Sequence, residues 1–240
     1  MIKRVLLIIP VLIALIASVA PAAAQGPEPQ RVEITADDGA ILVGNYYAPS
    51  APAEDGAPAV LLMHQMSSRK EAWIDFAALL LDAGFAVLAV DLRGHGETGG
   101  RALWDQAELD VQSWLDWLRE QDGIDPERLN IAGASIGANL ALRGMANDGH
   151  VVTAIALSPG LDYVGVTTED AITAINLRPV FLVASQLDRE SAQAVRVLAG
   201  LTVGDTMARI YMLGAHGTGI FMLEDDLMPL MVHWFVTHNE

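Results

Sequence analysis

The feature that most constrains this chain is its alternation of short, wholly apolar runs with longer amphipathic stretches. Ala59-Val60-Leu61-Leu62-Met63 offers no polar position to turn toward water. A strand of that kind has to be covered on both faces. Residues 85–90, 129–132, 151–157, 180–184 and 208–213 read the same way. Helical patterns lie between them. Ala107, Val111, Trp114, Leu115 and Leu118 fall on one helical face. Ser68 and Glu71 have the spacing of a capping box for a helix running to Leu81, which Gly84 would close. Strand alternating with helix implies an α/β fold, a parallel sheet with helices on both faces. Residues 31–35 and 41–47 alternate polar and apolar positions around Asp38-Gly39, as a starting hairpin would. Sites on such sheets gather at the carboxyl ends of the strands.

The N-terminus carries a different signal. Lys3 and Arg4 precede an apolar run over 5–19, and Ala22-Ala23-Ala24 precede Gln25. Positive head, apolar core and small-residue exit describe a secretory signal, with cleavage expected after Ala24. The rival reading is an uncleaved anchor. The run is short for a span of about 20 residues, and Pro10 interrupts it. Residues 25–30, with two prolines and a glycine, read as a linker, and 31–240 as a single domain. Residues 48–58, with three prolines and a glycine, read as an exposed loop.

Charge and cysteine content remove whole classes of function. The net charge is −16, and loss of Lys3 and Arg4 with the signal would take it to about −18. Such a surface repels phosphate backbones, so nucleic acid is excluded as a partner. With no cysteine there is no disulfide, thiolate zinc site, cysteine nucleophile or lipid-modified cysteine at the signal junction.

One turn carries a nucleophile. Asn130 to Leu140 reads as strand, tight turn and helix, with Gly133-Ala134-Ser135-Ile136-Gly137 at the turn. A serine in that strained turn projects its oxygen above the sheet, and side chains two residues to either side would collide there. The following helix points its N-terminus at the site, which favours developing negative charge. Its first amide, that of Ile136, is an oxyanion donor.

The partners follow in chain order, acid and then histidine. The run 180–184 leads into Ser185-Gln186-Leu187-Asp188, placing Asp188 at a strand's carboxyl end. Glu190 and Asp162 are the alternative acids, and Asp188 could simply begin a helix. The run 208–213 leads into Gly214-Ala215-His216-Gly217, a glycine-rich loop that could bring an imidazole over the sheet. His216 would take the serine's proton and Asp188 would fix the imidazole tautomer. His150, His233 and His238 read as structural.

After the strand at 59–63 come His64-Gln65-Met66-Ser67-Ser68. A loop here supplies the second oxyanion amide, with Met66 the candidate and Gln65 the alternative. His64 braces the loop. Arg69 and Lys70 read as solvated residues at a helix start, or else as a spot for an acidic substrate group. Gly94-x-Gly96-x-x-Gly99 matches the dinucleotide fingerprint, but its third glycine continues a loop instead of opening a helix. A rigid loop beside the site is the better reading.

Taken jointly, these motifs resemble the α/β-hydrolase superfamily from about Arg31 onward. The pieces are His64-Gln65-Met66, Asp91-Leu92-Arg93-Gly94-His95-Gly96, Gly133-Ala134-Ser135-Ile136-Gly137, Asp188, and Ala215-His216-Gly217-Thr218. The likeness is greatest to the lid-poor branch near dienelactone hydrolases and small acyl esterases. It implies an eight-stranded, mostly parallel sheet, little or no cap domain, no metal or other cofactor, and an acyl-serine intermediate. The usual His-Gly of the oxyanion loop is His64-Gln65 here. Between Ser158 and Pro179 there is no room for a large lid, so an open, shallow site roofed at most by 161–175 is expected. The function expected is an exported serine hydrolase cleaving carboxylic esters or thioesters of small acyl substrates. A peptidase or amidase on the same triad, or a non-catalytic binding protein on the same scaffold, are the alternatives.

Overall fold

A computed structural model describes residues 28–49 and 55–240. The signal segment, part of the linker and the middle of the proline-rich loop lie outside the described residues. Among the described residues ten strands and six α-helices alternate: β1 (Gln30–Thr35), β2 (Ile41–Tyr47), β3 (Ala57–Met63), α1 (Ile74–Asp82), β4 (Ala86–Val90), α2 (Trp104–Arg119), β5 (Ile124–Ala134), α3 (Ile136–Asn147), β6 (Val151–Leu157), β7 (Asp162–Tyr163), β8 (Val166–Thr167), α4 (Glu169–Ile175), β9 (Val180–Ser185), α5 (Arg189–Leu201), β10 (Thr206–Tyr211) and α6 (Leu227–His238). Eight strands form one sheet in the order β1-β2-β4-β3-β5-β6-β9-β10. β2 runs antiparallel to both its neighbours, and the pairs from β4 to β10 are all parallel. Among the described residues no helix is long and apolar enough to cross a membrane.

The apolar runs explain why the sheet is covered twice. In β3, Ala59, Leu61 and Met63 face a layer with α2, α3, α4 and α5, while Val60 and Leu62 face α1 and α6. All five are at most 1% exposed. Burying a residue of this size stabilises by about 1.5–3 kcal/mol, so a strand that is apolar at every position has to be interior. The face expected of α2 is buried as a unit, from Ala107 to Leu118.

Local corrections concern the ends of elements. β3 starts at Ala57, inside the expected loop, and its register with β5 shifts between Ala57 and Ala59, where Pro58 has no N–H to give. β10 lies over Thr206–Tyr211 and not 208–213, because it pairs with β9 from Thr206 against Val180 to Tyr211 against Ser185. Met212 and Leu213 therefore run past the last residue of β9 and are exposed. The capping box is not formed: a 3₁₀ turn over Lys70–Trp73 precedes α1, with no side-chain cap. Instead the Lys70 amide donates to Asp91 Oδ1 at 2.8 Å.

Candidate active site

Ser135 sits between β5 and α3 at φ +55° and ψ −120°. This is a left-handed backbone that a non-glycine residue rarely adopts, at a cost on the order of 1–3 kcal/mol. The flanking glycines make the turn sterically possible. A Cβ at Gly133 would overlap the Gly137 carbonyl, and one at Gly137 would overlap the carbonyl oxygens of Met63 and His64. The Ser135 amide donates to Leu157 O at 2.8 Å, fixing the turn to β6.

Asp188 follows β9 and occupies the N-cap position of α5, yet its side chain makes no cap bond. Its Oδ2 lies 2.7 Å from His216 Nδ1. The carboxylate accepts the Nδ1 proton, which leaves Nε2 as the free basic nitrogen. Neither alternative acid takes this place. Asp162 accepts from the Gly165 amide at 2.7 Å within the β7–β8 turn, and Glu190 is exposed in the first turn of α5.

The His216 loop is laid on the serine turn. The Gly217 amide donates to Ser158 Oγ at 2.9 Å, and a Cβ on Gly217 would stand 3.3 Å from that of Ala134. Ser158 directly follows β6, is fully buried and has φ +52°. Thr218 Oγ1 is 3.0 Å from Gln65 Nε2 and 3.1 Å from Gln65 Oε1. Tyr163 places its ring 6.4 Å from that of His216, edge to face, and bonds Ser191 Oγ at 3.0 Å through its hydroxyl. The His216 side chain is 43% exposed, so the cover over it is thin. Ser135 Oγ makes no hydrogen bond among the described residues, the His216 ring included. In hydrolytic sites that contact commonly tightens only with substrate bound.

Residues 65–68 form a tight turn, closed by the Ser68 amide on Gln65 O at 3.2 Å, with Ser67 at φ +60°. Neither the Met66 nor the Ile136 amide has a hydrogen-bond partner among the described residues. His64 braces this turn. Its Nδ1 donates to Gln65 O at 2.7 Å while Nε2 accepts the Leu92 amide at 3.0 Å, which fixes a neutral tautomer. Burial holds its pKa below the usual histidine value.

One sequence reading changes here. Lys70 is not solvated: only 3% exposed, it places Nζ 2.7 Å from both Asp91 Oδ2 and Glu97 Oε1. Burial opposes its charge, but the bonds to Asp91 and Glu97 outweigh this and raise its pKa. Arg69 alone of the pair faces solvent. The glycines of the fingerprint-like loop pack on protein atoms. A Cβ at Gly96 would overlap the Asp91 carboxylate, and one at Gly94 would approach Ala102 N to 2.7 Å. Arg93 bonds both Asp38 and Asp110. Ser158, Tyr163, Thr218 and the Gln65 side chain were not singled out from sequence. The one available signal was Gln65 standing where glycine is usual.

Comparison with known proteins agrees with this architecture. The family model for the alpha/beta hydrolase fold matches residues 58–213. Thiohydrolase aneE of Aspergillus aculeatus is 31% identical over 134 residues, which cover 54% of this chain and 41% of that protein. The chain spans about two-fifths of the length of the curated relatives it matches, 41% for the first of them. Among solved structures, an acetyl xylan esterase from Paenibacillus sp. R4 superposes with a TM-score of 0.72 at 18% identity, covering 85% of this chain and 82% of that one. The Pyrococcus furiosus esterase Pf2001 gives 0.71 at 20% identity, covering 89% and 93%. At such identities the likeness concerns the fold. With its sheet order, its strained serine turn and a family match over well more than half its length, the chain belongs to the alpha/beta hydrolase family.

Proposed function

We propose that this protein is an exported serine hydrolase that cleaves carboxylic esters or thioesters of small acyl substrates, with Ser135, His216 and Asp188 as its triad. The observation that carries the reading is the 2.7 Å bond from Asp188 to His216, in a loop packed directly on the Ser135 turn. An aspartate that forgoes its own helix cap to hold an exposed imidazole orients that ring for proton transfer.

The chemistry follows from the placement. Ser135 Oγ attacks the acyl carbon as His216 Nε2 accepts its proton, and Asp188 stabilises the imidazolium so formed. The carbonyl oxygen gains the electron pair and takes up the Met66 and Ile136 amides, which have no other partner among the described residues. Collapse of the tetrahedral species expels the alcohol or thiol, which takes the proton from His216. Water, deprotonated by the same nitrogen, then attacks the acyl-serine; the bond to Ser135 Oγ breaks, that oxygen takes the proton back from His216, and the acid is released. The base contributes about 10²–10⁴ in rate, and one oxyanion donor about 10²–10³. No step calls for a metal or other cofactor. The thin cover over His216 suits an open site, and the likeness to a thiohydrolase, 31% identical over 134 residues, supports the same reaction class. Export rests on the N-terminal pattern and is checked by N-terminal sequencing of secreted protein, which should begin at Gln25.

Turnover of p-nitrophenyl esters and acyl thioesters over a series of chain lengths tests the activity. Hydrolysis by the wild type that disappears in Ser135→Ala supports it. Absence of turnover across the whole series, or turnover unchanged in Ser135→Ala, overturns it.

A further inference from the structure

The His216 loop is poorly held by ordinary means. Its imidazole is 43% exposed, so core packing does not orient it. Glycines at 214, 217 and 219 surround it, Gly217 with φ +57°. Glycine-rich loops have many conformations open to them, and one has to be selected if the base is to serve the serine. Asp188 sets the ring, and Ser158 holds the backbone through the Gly217 amide. The third attachment comes from the opposite side of the site, from Gln65.

From this geometry we infer that Gln65 is a positioning residue that registers the oxyanion turn against the general-base loop. The inference rests on the hydrolase reading above. Gln65 is pinned at both ends. Its carbonyl accepts the His64 ring N–H at 2.7 Å and the Ser68 amide at 3.2 Å, inside the turn that presents the Met66 amide. Its side chain reaches across to Thr218, with Nε2 at 3.0 Å and Oε1 at 3.1 Å from the hydroxyl, and Oε1 at 3.5 Å from the Thr218 amide. Gly217 accommodates it, since a Cβ there would come within 3.1 Å of Gln65 Oε1.

A glycine at position 65 could supply a permissive backbone but no such link. During acyl transfer the carbonyl oxygen has to face the Met66 and Ile136 amides while the attacking oxygen faces His216. Oxyanion donors and base thus act on atoms one bond apart. A misplacement of about 1 Å between such groups can cost on the order of 100-fold in rate. The Gln65 side chain acts through the groups on either side of it, by setting the distance between the Met66 turn and the His216 loop.

Steady-state ester hydrolysis by the wild type, Gln65→Ala, Thr218→Val and the double variant tests this, with unfolding midpoints measured in parallel. Each single variant should lose about tenfold in kcat, from the factor of about three to ten carried by each hydrogen bond, with KM within about twofold. The double variant should be no slower than the slower single one, because both remove the same link. A tie that only stabilised the fold would lower the midpoint and leave kcat in place. Gln65→Ala with wild-type kcat, or two effects that multiply, overturns the inference. Should Gln65→Ala fail to fold, Thr218→Val decides by the same kcat and KM criterion. Failure of the two claims is separable. Wild-type protein with no Ser135-dependent turnover removes the hydrolase reading, whereas Ser135-dependent turnover indifferent to residues 65 and 218 removes this inference alone.

Discussion

An aspartate at a helix N-cap ordinarily accepts from the first-turn amides and contributes about 1 kcal/mol. Asp188 stands at that position before α5 and spends its carboxylate on His216 instead. Its replacement should therefore affect catalysis far more than folding. Asp188→Asn is expected to lower kcat by about 10³–10⁴ by presenting the wrong tautomer of the imidazole, with an unfolding midpoint near that of the wild type. Glu190→Gln, two residues on and exposed, should leave kcat unchanged; steady-state kinetics of both variants checks the assignment. The placement of Ser135, Asp188 and His216 at strand ends was legible in the sequence because each follows an apolar run, and strand ends are where such sheets carry chemistry. The residues that hold them were not. Gln65 meets Thr218 across 153 positions, and Ser158 meets Gly217 across 59. Contacts of that span depend on where separate loops converge, which local pattern does not encode.

Among elements, the strand-turn-helix unit of β5 and α3 carries the tightest steric demands. Both flanking glycines face backbone atoms that cannot move aside, the Gly137 carbonyl in one case and the Met63 and His64 carbonyls in the other. Gly137→Ala should push α3 away from the end of β3, destabilise by about 1–3 kcal/mol and abolish most activity; urea unfolding with parallel assays measures both. The start of α1 teaches a different lesson. The Ser68–Glu71 spacing predicts a local cap, but the Lys70 amide is satisfied by Asp91, 21 residues away at the end of β4. The same carboxylate then draws the Lys70 ammonium inside. Lys70→Met should cost about 3–5 kcal/mol, because it leaves Asp91 charged and buried; loss of less than about 1 kcal/mol in urea unfolding would refute the pairing. Strand cores were readable for the opposite reason. Wholly apolar runs have one place to go, whereas caps and strand ends are settled by whichever partner the fold brings near.

For the whole molecule, burial and ion pairing set the response to acid. Glu97 is held down at about 2 by its bonds to Lys70 and Arg31, against an ordinary value of 4.5. A carboxyl with a lowered folded pKa stabilises above its unfolded value, and that contribution is lost as pH falls from about 4.5 toward 2. Burial of His64 acts in the same direction from higher pH, since unfolding frees its ring to take a proton below the usual 6.5. Stability should fall as pH drops below neutrality. Glu97→Gln should flatten the decline below pH 4.5 in urea midpoints measured against pH. The claim on which the account depends is that strands distant in sequence bring three side chains together as one nucleophilic unit. Reaction of the native protein with a fluorophosphonate, followed by intact mass and peptide mapping, addresses it most directly. One adduct per chain on Ser135, formed much more slowly in His216→Ala and absent in Ser135→Ala, is the expected result. Native protein that stays unmodified, or an adduct mapped to another residue, would contradict it.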